Sequence, residues 1–263
     1  MNRLDYLKQH HCKLLFVLIA LPFITMATLQ AQGTRLLRQP DISTTHITFT
    51  YGSDIWVSNI NGGEAKRITS TQAVESNPYF SPDGNWIAFS SNRTGYQAVY
   101  VVPAEGGEAK QITWHPSGSL VRGWSNDGTR ILYASNRDTA PSPYNRLWTT
   151  GITENIPSLV HNQWGFDGAF APDGEHLIID RVSRWDSEWR GYRGGQNTPL
   201  IILNTTTSEE ELLPNESTTD IQPLWLGDVV YFISDRDLVA NIWSYDTKTK
   251  ELQQITEFKG ADV

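Results

Sequence analysis

Phe80-Ser81-Pro82-Asp83-Gly84 decides the fold, because the chain repeats it. Trp124-Ser125-Asn126-Asp127-Gly128 and Phe170-Ala171-Pro172-Asp173-Gly174 are further copies. Trp225-Leu226-Gly227-Asp228 is a degenerate one, and Ile42-Ser43-Thr44-Thr45 a shortened first one. The aromatic positions 80, 124, 170 and 225 lie 44, 46 and 55 residues apart. A second marker keeps the same beat: Ile55-Trp56-Val57, Val99-Tyr100-Val101, Leu147-Trp148-Thr149, Ile201 and Ile242-Trp243-Ser244. A third closes several repeats, as Arg67-Ile68-Thr69, Gln111-Ile112-Thr113 and Gln254-Ile255-Thr256. Three markers sharing one period establish a true structural repeat.

Each repeat holds four short strand candidates, in the clearest copy Asn77–Ser81, Asn85–Ser91, Ala98–Pro103 and Glu108–Thr113. Asp83-Gly84 and Gly106-Gly107 supply residues that tolerate positive φ at the turns between them. In Trp86-Ile87-Ala88-Phe89 aromatic residues bracket small aliphatics, as expected of a strand covered on both faces. After residue 33 no stretch shows apolar spacing of three and four residues, which argues against long helices. A unit of about 45 residues with four antiparallel strands is a propeller blade. The expected fold is therefore all-β, a β-propeller with five blades at 39–69, 77–113, 121–160, 167–213 and 221–256. The sequence reaches Gly260-Ala261-Asp262-Val263 where a further blade would begin, so a truncated sixth is expected.

The first residues read differently. Arg3, Lys8 and Lys13 flank the uncharged run Leu14–Leu29, and small residues follow to Ala31. That order is a secretory signal, expected over 1–31, with a retained anchor as the alternative. The run has 16 residues and contains Pro22, short of the roughly 20 apolar residues of a membrane span. No span is expected after cleavage, and export is expected to the periplasm. Removing the signal takes three basic residues and one acid (Asp5) from the 21 and 29 present, leaving 18 and 28 and a net charge of −10. Nucleic acid is therefore disfavoured as a partner. Cys12, the one cysteine, lies within the signal, so no disulfide framework is expected.

The blade pattern, with its aromatic-Ser-Pro-Asp-Gly turn and its Ser-Asn-Arg after the second strand, resembles the TolB-like propellers. The opening Leu36-Leu37-Arg38-Gln39-Pro40-Asp41-Ile42-Ser43, Asp54-Ile55-Trp56-Val57 with Gly62-Gly63-Glu64-Ala65, Glu188-Trp189-Arg190-Gly191-Tyr192-Arg193-Gly194-Gly195 and Phe258-Lys259-Gly260-Ala261-Asp262-Val263 resemble the first propeller of the tricorn proteases more closely. The resemblance spans residues 34–263. It implies a six-bladed ring followed in the same polypeptide by a second propeller, a PDZ-like domain and a serine peptidase core. Oligopeptides are cut in that core, and the implied role of the propeller is to gate or guide peptides. The archetype of the family is cytosolic, whereas the leader here points outward.

No catalytic residue is expected within the chain: there is no G-x-S-x-G. His46, His115, His161 and His176 are scattered without metal-ligand spacing, so neither metal nor other cofactor is expected. Two groups are binding candidates. Arg93, Arg137, Arg181 and Arg236 recur at one blade position, each after Asn or Asp. They could form a ring of guanidinium groups that grips peptide carboxylates, or pair with acids of neighbouring blades as the fold repeats. The second group lies in an insertion, Val182–Asn197, dense in Trp185, Trp189, Arg190, Tyr192 and Arg193. Such residues dominate interface hot spots, so the loop could meet another domain or a peptide in transit. Its alternative is to seal the channel mouth. The expected partners are downstream domains, peptides and further copies of the chain. Two other functions stay open, a non-catalytic TolB-like binding propeller and a propeller ahead of an α/β-hydrolase peptidase.

Overall fold

The computed structural model describes residues 36–141, 143–181, 193–194 and 197–259. Within them every helix or strand is a strand, and no helix is long and apolar enough to cross a membrane. The leader falls outside the described residues.

Twenty strands form five antiparallel sheets of four, each built from consecutive strands. Blade 1 is β1 (Arg38–Ile42), β2 (His46–Tyr51), β3 (Asp54–Asn59) and β4 (Lys66–Arg67). Blade 2 is β5 (Glu75–Phe80), β6 (Trp86–Ser91), β7 (Ala98–Pro103) and β8 (Lys110–Gln111). Blade 3 is β9 (Leu120–Trp124), β10 (Arg130–Ser135), β11 (Arg146–Gly151) and β12 (Pro157–Trp164). Blade 4 is β13 (Asp167–Phe170), β14 (His176–Asp180), β15 (Ile201–Asn204) and β16 (Glu210–Leu212). Blade 5 is β17 (Asp220–Leu226), β18 (Val229–Ser234), β19 (Asn241–Asp246) and β20 (Leu252–Gln254). The fold is thus the expected β-propeller, and the first strands touch in the succession β1, β5, β9, β13, β17 around the ring.

The sequence markers have physical causes. In the first turn Asp83 Oδ1 accepts the Asn85 N–H at 3.1 Å, Ser81 Oγ accepts the Trp86 N–H at 2.9 Å, and Gly84 sits at φ +73. Ser125, Asp127 and Gly128 repeat this geometry, with Gly128 at φ +68. Hydrogen bonds from Ser81 and Ser125 lead the interactions that hold the Asp83 and Asp127 carboxyls below the usual range. The closing threonines answer a different need. The Oγ1 atoms of Thr69, Thr113 and Thr256 accept the first free N–H of their blade's third strand, from Ile55, Val99 and Ile242, each at 2.9 Å. In blades 1, 2 and 5 the pairing of the third and fourth strands thus ends on a side-chain bond in place of a further ladder bond.

Hydrophobic packing lies between blades. Ile55 and Val57 of blade 1 pack with Phe80, Ile87, Phe89 and Tyr100 of blade 2. Val99 and Val101 meet Val121, Ile131, Tyr133 and Trp148; Leu132 and Leu147 meet Leu177, Ile179 and Ile201; Ile178, Leu200 and Ile202 meet Val230, Phe232 and Tyr245. Ile87, Ala88 and Phe89 are fully buried, as strands covered on both faces require, whereas Trp86 at the turn is 37% exposed. Blade 5 alternates instead: Val230, Phe232 and Ser234 are buried, Val229, Tyr231 and Ile233 half-buried.

The first strands hold irregularities that composition does not announce. Gln39, Asn77 and Gln222 adopt φ of 52°, 53° and 54°, at register shifts in β1, β5 and β17. Such bulges increase local twist. Gln39 Oε1 ties two of these sites together, accepting the Asn77 N–H at 3.0 Å from the neighbouring blade.

Candidate functional site

Alternating strand directions sort the connections into two ends. The Asp-Gly turns lie at one. At the other lie the links between second and third strands (92–97, 136–145, 235–240) and the links between blades (112–119, 213–219). Arg93, Arg137, Arg181 and Arg236 all follow a second strand, so the topology gathers them at this second end.

Two of these arginines are committed to acids of their own blade, not of a neighbour. Arg93 Nη2 pairs with Oε1 of Glu75, whose side chain is fully buried at the head of β5. Its guanidinium lies 4.4 Å from the Tyr100 ring centroid and 5.5 Å from that of Phe89. Arg236 Nη2 pairs with Asp220 Oδ2 at 2.8 Å and donates to the Pro214 carbonyl at 2.6 Å. It lies over Phe232 and Trp243 at 5.7 and 5.6 Å. Burial pushes the Asp220 carboxyl up, and the Arg236 charge is the chief influence pulling it back. Acid, arginine and aromatic rungs thus form one repeated device.

Arg137 and Arg181 are placed differently. Arg181 is half-buried, with an Nε that makes no hydrogen bond. Arg137 lies 4.8 Å from the Trp148 ring centroid, and among the described residues it pairs with the carboxylate of Asp138, 3.5 Å from Nε and 59% exposed. Arg146, which the sequence did not single out, flanks the same ring at 5.5 Å. It donates to Asn162 Oδ1 at 3.2 Å and to the carbonyls of Arg137 and Asp138 at 3.4 and 3.1 Å. The Tyr133 hydroxyl is pushed above its ordinary value, chiefly by burial, while the nearby Arg137 pulls the other way. The two do not meet in hydrogen-bond geometry.

A cavity of about 270 Å³ opens beside this group, between blades 2 and 3. Tyr96, Gln97, Ser119, Asn136 and Asn145 are among the residues that line it. The side-chain oxygens of Gln97 and Asn136 are buried without a hydrogen-bond partner.

Of the insertion, Trp185, Trp189, Arg190 and Tyr192 lie outside the described residues. Arg193 is described. Its Nη1 reaches both carboxylate oxygens of Asp235 at 3.1 and 3.0 Å, and Nη2 reaches the Asp235 carbonyl at 2.8 Å. The base of the insertion is therefore clamped to blade 5. Nearer the ring axis, Arg122 of β9 donates to the Phe166 carbonyl at 2.6 Å and lies 3.7 Å from Asp167 Oδ1, joining blade 3 to blade 4. Among the described residues no three His, Cys, Asp or Glu side chains are grouped to hold a metal ion.

Residues 34–263 match the model of the tricorn protease N-terminal beta propeller domain. Tricorn protease homolog 1 of Streptomyces coelicolor is 30% identical, covering 89% of this chain and 22% of that protein. Tricorn protease of Thermoplasma acidophilum is 28% identical, covering 85% and 21%. A crystal structure of the tricorn protease superposes with a TM-score of 0.74 at 27% identity, over 85% of this chain and 22% of that one. A putative TolB from Agrobacterium tumefaciens gives 0.68 at 19% identity, over 83% and 80%, and shares the fold. The chain spans about a fifth of the length of the curated relatives it matches.

Proposed function

The chain belongs to the tricorn protease N-terminal β-propeller family, and on that premise we propose that it is the propeller of an exported tricorn-like serine peptidase, guiding or gating peptides to a catalytic core outside these 263 residues. The observation that carries this is the family match over residues 34–263, essentially everything beyond the leader. The end that gathers the cavity, the arginines and the base of the insertion is the face offered to peptides or to a neighbouring domain.

Export is supported by the order of residues 1–31: Arg3, Lys8 and Lys13, then the apolar run, then Ala31. Fusing residues 1–33 to alkaline phosphatase, active only after export, should give active enzyme; a silent fusion removes export from the proposal. The peptidase role is tested by peptide hydrolysis, comparing the protein of the complete reading frame with the 263-residue chain. Cleavage is expected from the complete protein alone. Cleavage by the 263-residue chain, or none by the complete protein, refutes the proposal.

A further inference from the structure

Blade 3 departs from blades 2 and 5 where its second strand ends. In blade 2 Asn92, the residue after β6, accepts the Val74 N–H on Oδ1 at 2.8 Å. In blade 5 Asp235, the residue after β18, accepts the Thr219 N–H on Oδ1 at 2.9 Å. Val74 and Thr219 each stand just before their blade's first strand, so the bond ties the loop after the second strand to the link that enters the blade. Asn136 holds the same place after β10. Leu120 pairs with Ala134, which sets Ser119 opposite Ser135 as Glu75 is opposite Ser91, and makes Gly118 the counterpart of Val74. Here the bond is missing. Gly118, at φ +85, donates its N–H to the His115 carbonyl at 3.2 Å, and the link folds back on itself. Asn136 Oδ1 is left buried without a partner.

Gly118 and Asn136, the two residues that this bond would join, both line the cavity of about 270 Å³. Gln97 and Asn145 line it as well, and they hold one position in successive blades, immediately before the third strand. Among the described residues the side chains of Gln97, Asn136 and Asn145 make no hydrogen bond, and Gln97 Oε1 is buried without a partner like Asn136 Oδ1. Amides elsewhere are committed: Gln111 Nε2 donates to the Thr113 carbonyl at 2.7 Å, and Asn215 Nδ2 to Asp220 Oδ2 at 2.7 Å. A buried amide oxygen without a partner is costly. Three idle amides around one cavity therefore form a polar surface that the chain itself does not use. No lining residue carries a charge, and Tyr96, Pro116 and Leu120 add apolar surface.

We propose that this cavity binds a neutral sugar ring. Each amide offers one acceptor and two donors, and each sugar hydroxyl one donor and two lone pairs. Hydroxyls on adjoining ring carbons can thus meet the amides in pairs. The C–H face of the ring suits Tyr96, Pro116 and Leu120, because the negative face of an aromatic ring attracts C–H groups. An uncharged lining gives no compensation for desolvating an ionic group, which favours a neutral ligand. Sites for drug-sized ligands run to about 300–1,000 Å³; at about 270 Å³ this cavity matches a single ring. The site does not rest on the peptidase function proposed above.

The test is saturation-transfer NMR of the 263-residue chain with the methyl pyranosides of glucose, galactose, mannose and N-acetylglucosamine, followed by titration of the side-chain amide resonances. At least one glycoside should bind saturably and shift the NH₂ signals of Gln97, Asn136 and Asn145. Gln97→Leu and Asn136→Leu should each weaken binding tenfold or more. Neither replaced side chain makes a hydrogen bond among the described residues, so the thermal midpoint should hold or rise. No binding of any glycoside, unchanged binding in both variants, or N-acetylglycinamide bound as tightly as the best glycoside overturns the proposal. If either variant loses its fold, the unmodified chain decides: glycoside binding that shifts none of the three amides also overturns it. Hydrolysis by the complete protein is a separate measurement, so failure here is distinguishable from failure of the peptidase role.

Discussion

Replacing Arg93 with Met should be among the most damaging changes of a surface-facing residue in this molecule. Arg93 is partly exposed, yet its partner Glu75 is fully buried. Without the guanidinium, Glu75 keeps one side-chain hydrogen bond, from Thr71 Oγ1 at 3.0 Å, and its Oε2 already has none. Orphaning one member of a buried pair costs about 3–5 kcal/mol. Loss of the contact with the Tyr100 ring adds about 0.5–1 kcal/mol. For a domain of this size each kcal/mol lowers the thermal midpoint by about 2–4 °C, so a drop on the order of 10 °C is expected. Circular dichroism of the 263-residue chain at neutral pH measures it. The decisive comparison is Glu75→Gln/Arg93→Met, which removes both charges and should recover most of the loss. Arg137→Met has no buried carboxylate to orphan and should cost about 1 kcal/mol or less. A small effect of Arg93→Met, or a double variant no better than the single one, would refute the account of Arg93 as the counter-charge of Glu75.

Asp41, half-buried between blades 1 and 2, is pushed up to about 6, by burial first and against the Phe80 N–H that it accepts at 2.7 Å. Its folded value lies above the unfolded 3.8, so it withdraws stability as pH rises from about 4 through 6. Asp41→Asn should remove about 2 kcal/mol of that loss, after allowance for screening, in urea midpoints compared at pH 4.5 and 7.5. Thr113→Val leaves the buried Val99 N–H without its acceptor and should cost about 1–3 kcal/mol in the same assay; no change would make that bond dispensable. At Gly168 an added Cβ would lie 2.5 Å from the Ile178 carbonyl oxygen and 2.9 Å from Leu147. Overpacking of this kind costs about 1–3 kcal/mol, so Gly168→Ala should lower the midpoint visibly, and a neutral result would contradict the close packing of Gly168 against β14 and Leu147.

Sequence carried the architecture further than the site. The Asp-Gly turns and the closing threonines were legible because each performs a local task within a few residues of its partner, and local tasks recur with the period. The recurrence of Arg93, Arg137 and Arg236 was equally visible, but its meaning was not. Glu75 and Asp220 lie 18 and 16 residues before their arginines, and only the register of the first strand brings them together. Arg146 was invisible for the opposite reason: the register places Ala98 and Asn241 at its position in other blades, so no pattern marks it. The left-handed residues Gln39, Asn77 and Gln222 likewise carry no signal, since none is glycine.

The apolar clusters straddle pairs of blades, and that determines how the molecule should come apart. No cluster belongs to a single blade, so the cooperative unit is the seam between two sheets. Stability then approximates a sum over neighbouring seams. Blades 2, 3 and 4 each contribute to two of the four seams described, blades 1 and 5 to one. In the described unit, amide protons of β7 and β11 should exchange with solvent last, and those of β2 and β19 sooner. A partner that covers the half-buried row Val229, Tyr231 and Ile233 would add a seam and slow exchange in blade 5 first.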